Sequence, residues 1–232
     1  MPAPAGSSSA RSLASTTSSA GTPRGVTAPP SGERPDDGLE GARRRATWLL
    51  VAASALASVA NIAAFTVAGI AARELLGDAA LAGASTTSIV LGSAVGTSVL
   101  AWLMLRSTRR RGLGLGLLLA MLGGFIAAWA VAAGELVALL AGTTLLGFGS
   151  ASTQLARYAA ADMAAPEGRA TSIGLVVWAG TVGAVLGPNL APLAASISGG
   201  LGAEELVGPF LATALIMVLA SGLLFLFLRP DP

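Results

Sequence analysis

Three residue types that carry much of protein chemistry are missing from this 232-residue chain: it has no cysteine, no histidine and no lysine, so all fourteen basic residues are arginine. Without cysteine there are no disulfides and no thiolate chemistry, and the redox compartment is left open. The absence of histidine removes Ser-His catalysis and the usual imidazole metal sites. The absence of lysine removes the phosphate-loop lysine and Schiff-base chemistry. No catalytic constellation is left to name, so the chain reads as neither an enzyme nor a metal or cofactor protein. Charge itself is scarce, at 11% of residues, against about 25% in an ordinary soluble domain.

What fills the chain instead is apolar. Hydrophobic residues make up 53% of it and the mean hydropathy is +0.73, the balance of a membrane protein. The sequence pI near 10.4 would suit a nucleic-acid binder, but the formal net charge is only +2. The arginines are scattered between apolar runs and form no basic face, so they read as topology signals and nucleic acid is not an expected partner. Arginine as the sole base, with abundant Ala and Gly, fits a GC-rich bacterial genome.

Residues 1–45 contain 31 Ser, Thr, Pro, Gly or Ala. Such a segment buries too little surface to offset its chain entropy, and a disordered cytoplasmic tail is expected. It lacks the apolar centre of a secretory signal, and Glu33, Asp36, Asp37 and Glu40 argue against an organellar one. It closes on Arg43, Arg44 and Arg45.

From Ala46 the apolar runs are separated by short charged punctuation. The uncharged stretches are Ala46 to Ala72, Ala79 to Leu105, Gly112 to Gly134, Leu136 to Ala156, Ala170 to Ala203 and Leu206 to Leu228. The fifth is long enough for one helix plus a Gly-rich turn at Ser198 to Gly202. Each holds the roughly 20 residues that cross about 30 Å of hydrocarbon. An all-α, polytopic bundle of six transmembrane helices over 46–229 follows, with 230–232 as a cytoplasmic end. Counting arginines on alternate sides gives Arg43, Arg44, Arg45, Arg106, Arg109, Arg110, Arg111, Arg157, Arg169 and Arg229 against Arg73 alone. Cytoplasmic loops retain positive charge, so both termini are expected on the cytoplasmic side of a bacterial inner membrane. Gly112, Gly114 and Gly116 lie inside an apolar run with no strand before them, which dismisses a nucleotide loop.

The fifth run carries the densest signal, GLVVWAGTVGAVLGPNLAP from Gly174 to Pro192. Pro188 has no N–H for the carbonyl of Ala184, nor Pro192 for that of Pro188, so a bend or loosening is expected there. Gly183 and Gly187 share a helix face, with Gly180 near it, and admit the close approach of another backbone. The spacing of Gly174, Gly183 and Gly187-Pro188 resembles the fifth-helix gating signature of the major facilitator superfamily, in its proton-coupled drug-efflux branch. The family continues with two residues and a glycine pair, where this chain has Asn189, Leu190, Ala191 and Pro192.

Two loops extend the resemblance over residues 47 to 231. Between helices 2 and 3, Arg106, Arg109 and Arg110 match the basic positions of the family's best-known loop, while Ala101, Leu105 and Thr108 replace its two glycines and its aspartate. Between helices 4 and 5, Asp162, Pro166 and Arg169 are similar to the family's Asp-x-x-x-Pro-x-x-Arg turn. The resemblance implies a cytoplasmic charge latch of Arg106, Arg109, Arg110, Asp162 and Arg169, with Asp162 reaching Arg169 or the Arg106 to Arg111 cluster. In helix 4, Gly147-Phe148-Gly149 is present, but Thr144 stands where the family often has the arginine implicated in proton coupling.

The function implied is secondary, antiporter-like transport of a small molecule by alternating access, with efflux the favoured direction and the proton a candidate coupling ion. Only the N-terminal six-helix half is represented. The expectation is a truncated reading frame or a fragment, with a separately encoded second half or a homodimer as the other arrangements. Intramembrane polar residues usually face a bundle interior, which makes Asn61, Gln154 and Asn189 the pathway candidates; the bland reading of each is an interhelical hydrogen bond worth about 0.6 kcal/mol. The competing function is a noncatalytic membrane subunit or scaffold whose glycine faces pack against partner helices.

Overall fold

A computed structural model of the chain describes residues 35–77, 83–164 and 168–227. The described residues form six helices and no strand: α1 (Pro35–Leu76), α2 (Gly83–Arg106), α3 (Arg109–Ala133), α4 (Leu136–Met163), α5 (Arg169–Gly200) and α6 (Val207–Phe227). All six are long and apolar enough to cross a membrane. The number of spans matches the six uncharged runs.

The boundaries move where helix propagation outruns hydropathy. α1 opens at Pro35, a residue whose fixed φ and missing N–H suit a first turn. The eleven residues 35–45 of the expected tail are therefore helical. Leu, Glu, Ala and Arg between 39 and 45 are good helix formers, and adding a residue to an existing helix is cheap compared with nucleating one. Residues 1–34 of the expected tail, and Arg229 with 230–232, lie outside the described residues. α4 continues past the charged Arg157 to Met163 for the same reason. α5 runs through Pro188 and Pro192 to Gly200, so the turn expected at Ser198 to Gly202 begins instead at Leu201. Both prolines are exposed, their rings pointing away from the neighbouring helices.

Helix ends are closed by local chemistry. Thr108, in an extended conformation, caps α3 by accepting from the Arg111 N–H at 3.4 Å. At the far end Gly134 has φ 70°, and its N–H and that of Glu135 return to Val131 and Ala130. That left-handed turn, which glycine adopts without strain, reverses the chain into α4 within two residues.

The core is built from small side chains. On α1, Ala53, Ala57, Ala60, Ala64, Ala68 and Ala71 fall at helical spacing on one fully buried stripe. Lipid tails are as apolar as leucine, so helices in a bilayer gain little by hiding hydrophobes and associate by close packing. α1 packs on α5, α6 and α4; α4 packs on α2 and α3; α3 also packs on α6. α2 and α5 are the least covered by the rest of the bundle.

Candidate functional site

The α5 signature divides into two pairs of glycines. Gly183 and Gly187 are buried against α1: a Cβ at Gly183 would sit 2.5 Å from the Ser58 Cβ and 2.7 Å from its carbonyl carbon. One at Gly187 would sit 2.7 Å from the Ile62 Cβ. Both distances are below any real Cβ contact, so only glycine allows α5 to lie this near α1. At Gly174 and Gly180 an added Cβ would meet nothing within 4 Å, so Gly180, expected near the close-approach face, makes no close contact of its own. Helical geometry explains the split: Gly183 and Gly187 are one turn apart on the inward stripe with Val176, Ala179, Ala191 and Ala194. Gly174 falls on the opposite, exposed face, while Gly180 sits at the edge of the stripe.

The pathway trio is not brought together. The Asn61 amide is wedged in the packing of α1 on α4, where its Oδ1 lies 3.1 Å from the Cβ position of Gly149 and its Nδ2 is buried without a partner among the described residues. Asn189 is exposed on α5, and its Nδ2 donates back along its own helix to the Val185 carbonyl at 2.7 Å. Gln154, by contrast, faces a cavity of about 150 Å³ between α1, α4 and α5. Ser54, Ser58, Thr153 and Arg157 supply its remaining polar lining, and Val176, Val177 and Gly180 its apolar wall. Ser58 therefore belongs both to this cavity and to the seam under Gly183.

Sequence reasoning singled out Gln154 alone of this group. The missed signal is two pairs at i, i+4 spacing, Ser54 with Ser58 and Thr153 with Arg157, each of which places two polar side chains on one helix face.

At the arginine-rich end the 2–3 turn ties down two other helices. Arg109 Nη2 pairs with Asp162 Oδ2 at the end of α4, at 2.5 Å, with the two side chains 36% and 52% exposed. An ion pair that wet is worth about 0 to 1 kcal/mol. The neighbouring Arg110 donates through Nη2 to the Phe225 carbonyl, among the last carbonyls of α6, and its guanidinium lies 5.8 Å from the Phe225 ring centroid. A cation there satisfies an orphan acceptor and complements the negative end of the α6 dipole. Arg106 turns the other way and stacks on Trp102 one turn earlier, 4.4 Å from its centroid. Of the expected latch, then, Arg109 and Asp162 meet. Arg169 is exposed and, among the described residues, makes no ion pair; Pro166 lies outside them.

Comparison with known proteins gives one consistent result. Residues 47–232 match the family model of the Major Facilitator Superfamily. The chain is 34% identical over 187 residues to the uncharacterized MFS-type transporter YdeG of Bacillus subtilis, covering 80% of this chain and 44% of that protein. It is 33% identical over 170 residues to YddS of the same organism, another uncharacterized MFS-type transporter, covering 73% of this chain and 39% of that one. It is 30% identical over 189 residues to the riboflavin transporter RfnT of Brucella anthropi, covering 82% and 47%. The chain thus spans less than half the length of each of these relatives.

Proposed function

The chain belongs to the major facilitator superfamily, a family of transporters and not of enzymes, and we propose that it acts as the N-terminal six-helix half of a secondary transporter for a small molecule. The bilayer is its solvent, and the arginine count supports the inner membrane with both termini cytoplasmic. One observation carries the reading: Ser58 lies under Gly183 in the α1–α5 seam and also lines the polar cavity. The glycine contact that fixes two helices as one rigid body therefore ends in the wall where a substrate would touch them. Rigid bodies that each carry part of the substrate path are what alternating access needs, and this part lies toward the cytoplasmic side, with Arg157.

Two further parts fit. The Arg109–Asp162 pair is weak enough to open and close during a cycle, as a latch must be. A second half, from a longer chain or a second copy in the same orientation, would supply the facing wall, since facilitator halves are related by an axis along the membrane normal. Efflux is the direction the α5 signature favours. The proton remains the candidate coupling ion, to be carried by a residue other than Thr144, which has no titratable group.

The test is flux into proteoliposomes of the native gene product, with neutral riboflavin, anionic benzoate and cationic ethidium as probes. Substrate-dependent flux of one class, abolished in a Gly187→Leu variant that still assembles, is expected. A correctly folded protein that moves none of the three would return the chain to the scaffold reading.

A further inference from the structure

The cavity between α1, α4 and α5 has a chemistry of its own, and the inference that follows rests on the transport reading of that site. Its polar lining is made of three hydroxyls, one amide and one guanidinium, with no acidic residue among the described residues. The Arg157 Nε donates to the Gln154 carbonyl at 3.1 Å, and among the described residues neither of its Nη groups has a partner. The Ser54 and Ser58 hydroxyls and the Gln154 side chain likewise have no hydrogen-bond partner among the described residues, although Ser54 is buried. Asp162, the acid nearest in sequence on the same helix, is taken by Arg109.

Arginine is charged at every accessible pH and its fork matches the two oxygens of a carboxylate. With no counter-ion among the described residues, the half-buried guanidinium keeps both Nη groups available to a ligand beside the recess. The recess is open on one side, and its volume of about 150 Å³ accommodates a carboxylate with a benzene-sized stem. One wall, Val176 and Val177, is aliphatic.

We propose that this cavity is an oxyanion subsite: Arg157 takes the carboxylate, or a comparable anionic group, of a small organic acid, Ser54, Ser58 and Gln154 donate to its remaining lone pairs, and the Val176–Val177 wall receives the apolar stem. This selects organic anions over the cations typical of drug efflux. A phospholipid phosphate from the inner leaflet offers the same oxygen chemistry, and the experiment separates the two sources.

The purified full-length chain, in a maltoside detergent free of phospholipid, is titrated with benzoate and with benzamide, its neutral isostere, by calorimetry. Saturable binding of benzoate, at least about tenfold tighter than of benzamide, is expected. Arg157→Gln should abolish the preference and Arg157→Lys should retain part of it, while Arg111→Gln, which removes the same charge outside the cavity, should leave it unchanged. Equal affinity for the two probes, or no saturable benzoate binding, overturns the proposal in the unsubstituted chain alone, whether or not the Arg157 variants fold. Added phosphatidylglycerol that leaves benzoate binding intact supports a soluble substrate; full displacement by it overturns the substrate assignment. Charge-selective binding without flux in proteoliposomes would keep the subsite and sink the transport reading, whereas flux with no preference for the anion would do the reverse.

Discussion

The α1–α5 seam and the α2–α4 seam are both built on glycine pairs, yet they are closed by different atoms. Under Gly183 and Gly187 the nearest obstacles include the Ser58 and Ile62 side chains. Under Gly92 and Gly147 the obstacles are backbone: the Thr144 carbonyl for one, and the Ile89 carbonyl and Ser93 nitrogen for the other. A Cβ is fixed by its own backbone, and Gly183 also meets the Ser58 carbonyl carbon and the Val59 nitrogen, so neither seam admits a methyl group by a rotamer change alone. The seams differ in closeness: the nearest atom to an added Cβ is 2.5 Å away at Gly183 and 2.7 Å at Gly187, but nearer than either at Gly147 and nearer still at Gly92. The α2–α4 seam is thus the tighter of the two and has no residue of α2 in the polar cavity, whereas the α1–α5 seam adjoins that cavity.

The sharpest way to break this comparison is Gly147→Ala. Overpacking against fixed backbone typically costs about 1 to 3 kcal/mol and occasionally more, and this site should fall at or above the top of that range. Thermal or SDS-titration unfolding of the purified chain reads it directly, and near-normal stability would remove the distinction between the seams.

Gly183→Ala comes next. It meets the Ser58 Cβ and carbonyl carbon together, so a loss of about 1 to 2 kcal/mol is expected. Ser58→Ala removes only the hydroxyl and should not rescue it, since the clash involves the Cβ. Rescue in the double variant, measured by the same unfolding, would show that the hydroxyl decided the fit.

Smaller still is Asp162→Asn at the arginine-rich end, where a loss of no more than about 1 kcal/mol should shrink further in high salt. Failure of salt to narrow the difference between variant and parent would mean that the pair is less wet than its exposure implies. The smallest effect, and the one of opposite sign, belongs to Gly174→Ala. With open space around it, the added methyl restricts the unfolded chain and favours the helix, stabilising by about 0.4 to 1 kcal/mol. A destabilised Gly174→Ala would show that the whole signature, and not half of it, packs.

Much of this architecture is written in local pattern. Uncharged runs of adequate length and the one-sided arginines mark six spans, because hydrocarbon excludes charge and forces every backbone group into a helix whatever the neighbours do. The α1 alanine stripe and the Gly183–Gly187 pair are periodic, so their shared face is readable. Helix ends were less legible: the arginine-flanked start of α1 and the far end of α4 extend past the hydropathy boundary, since helix propensity does not stop where water begins. The pathway candidates were the least distinguishable. Asn61, Gln154 and Asn189 are equally polar in sequence, and only Gln154 opens on the cavity.

The sequence by itself determined the membrane class, the number of helices, the family and which end carries positive charge, for these depend on composition and on spacing within one helix. Only the tertiary structure decided which glycines are crowded, which arginine meets Asp162 and which polar residues share a recess with Arg157. Those relations join helices far apart in the chain. Their angles and register are set by the packing of every side chain between them, and no spacing along the chain records that.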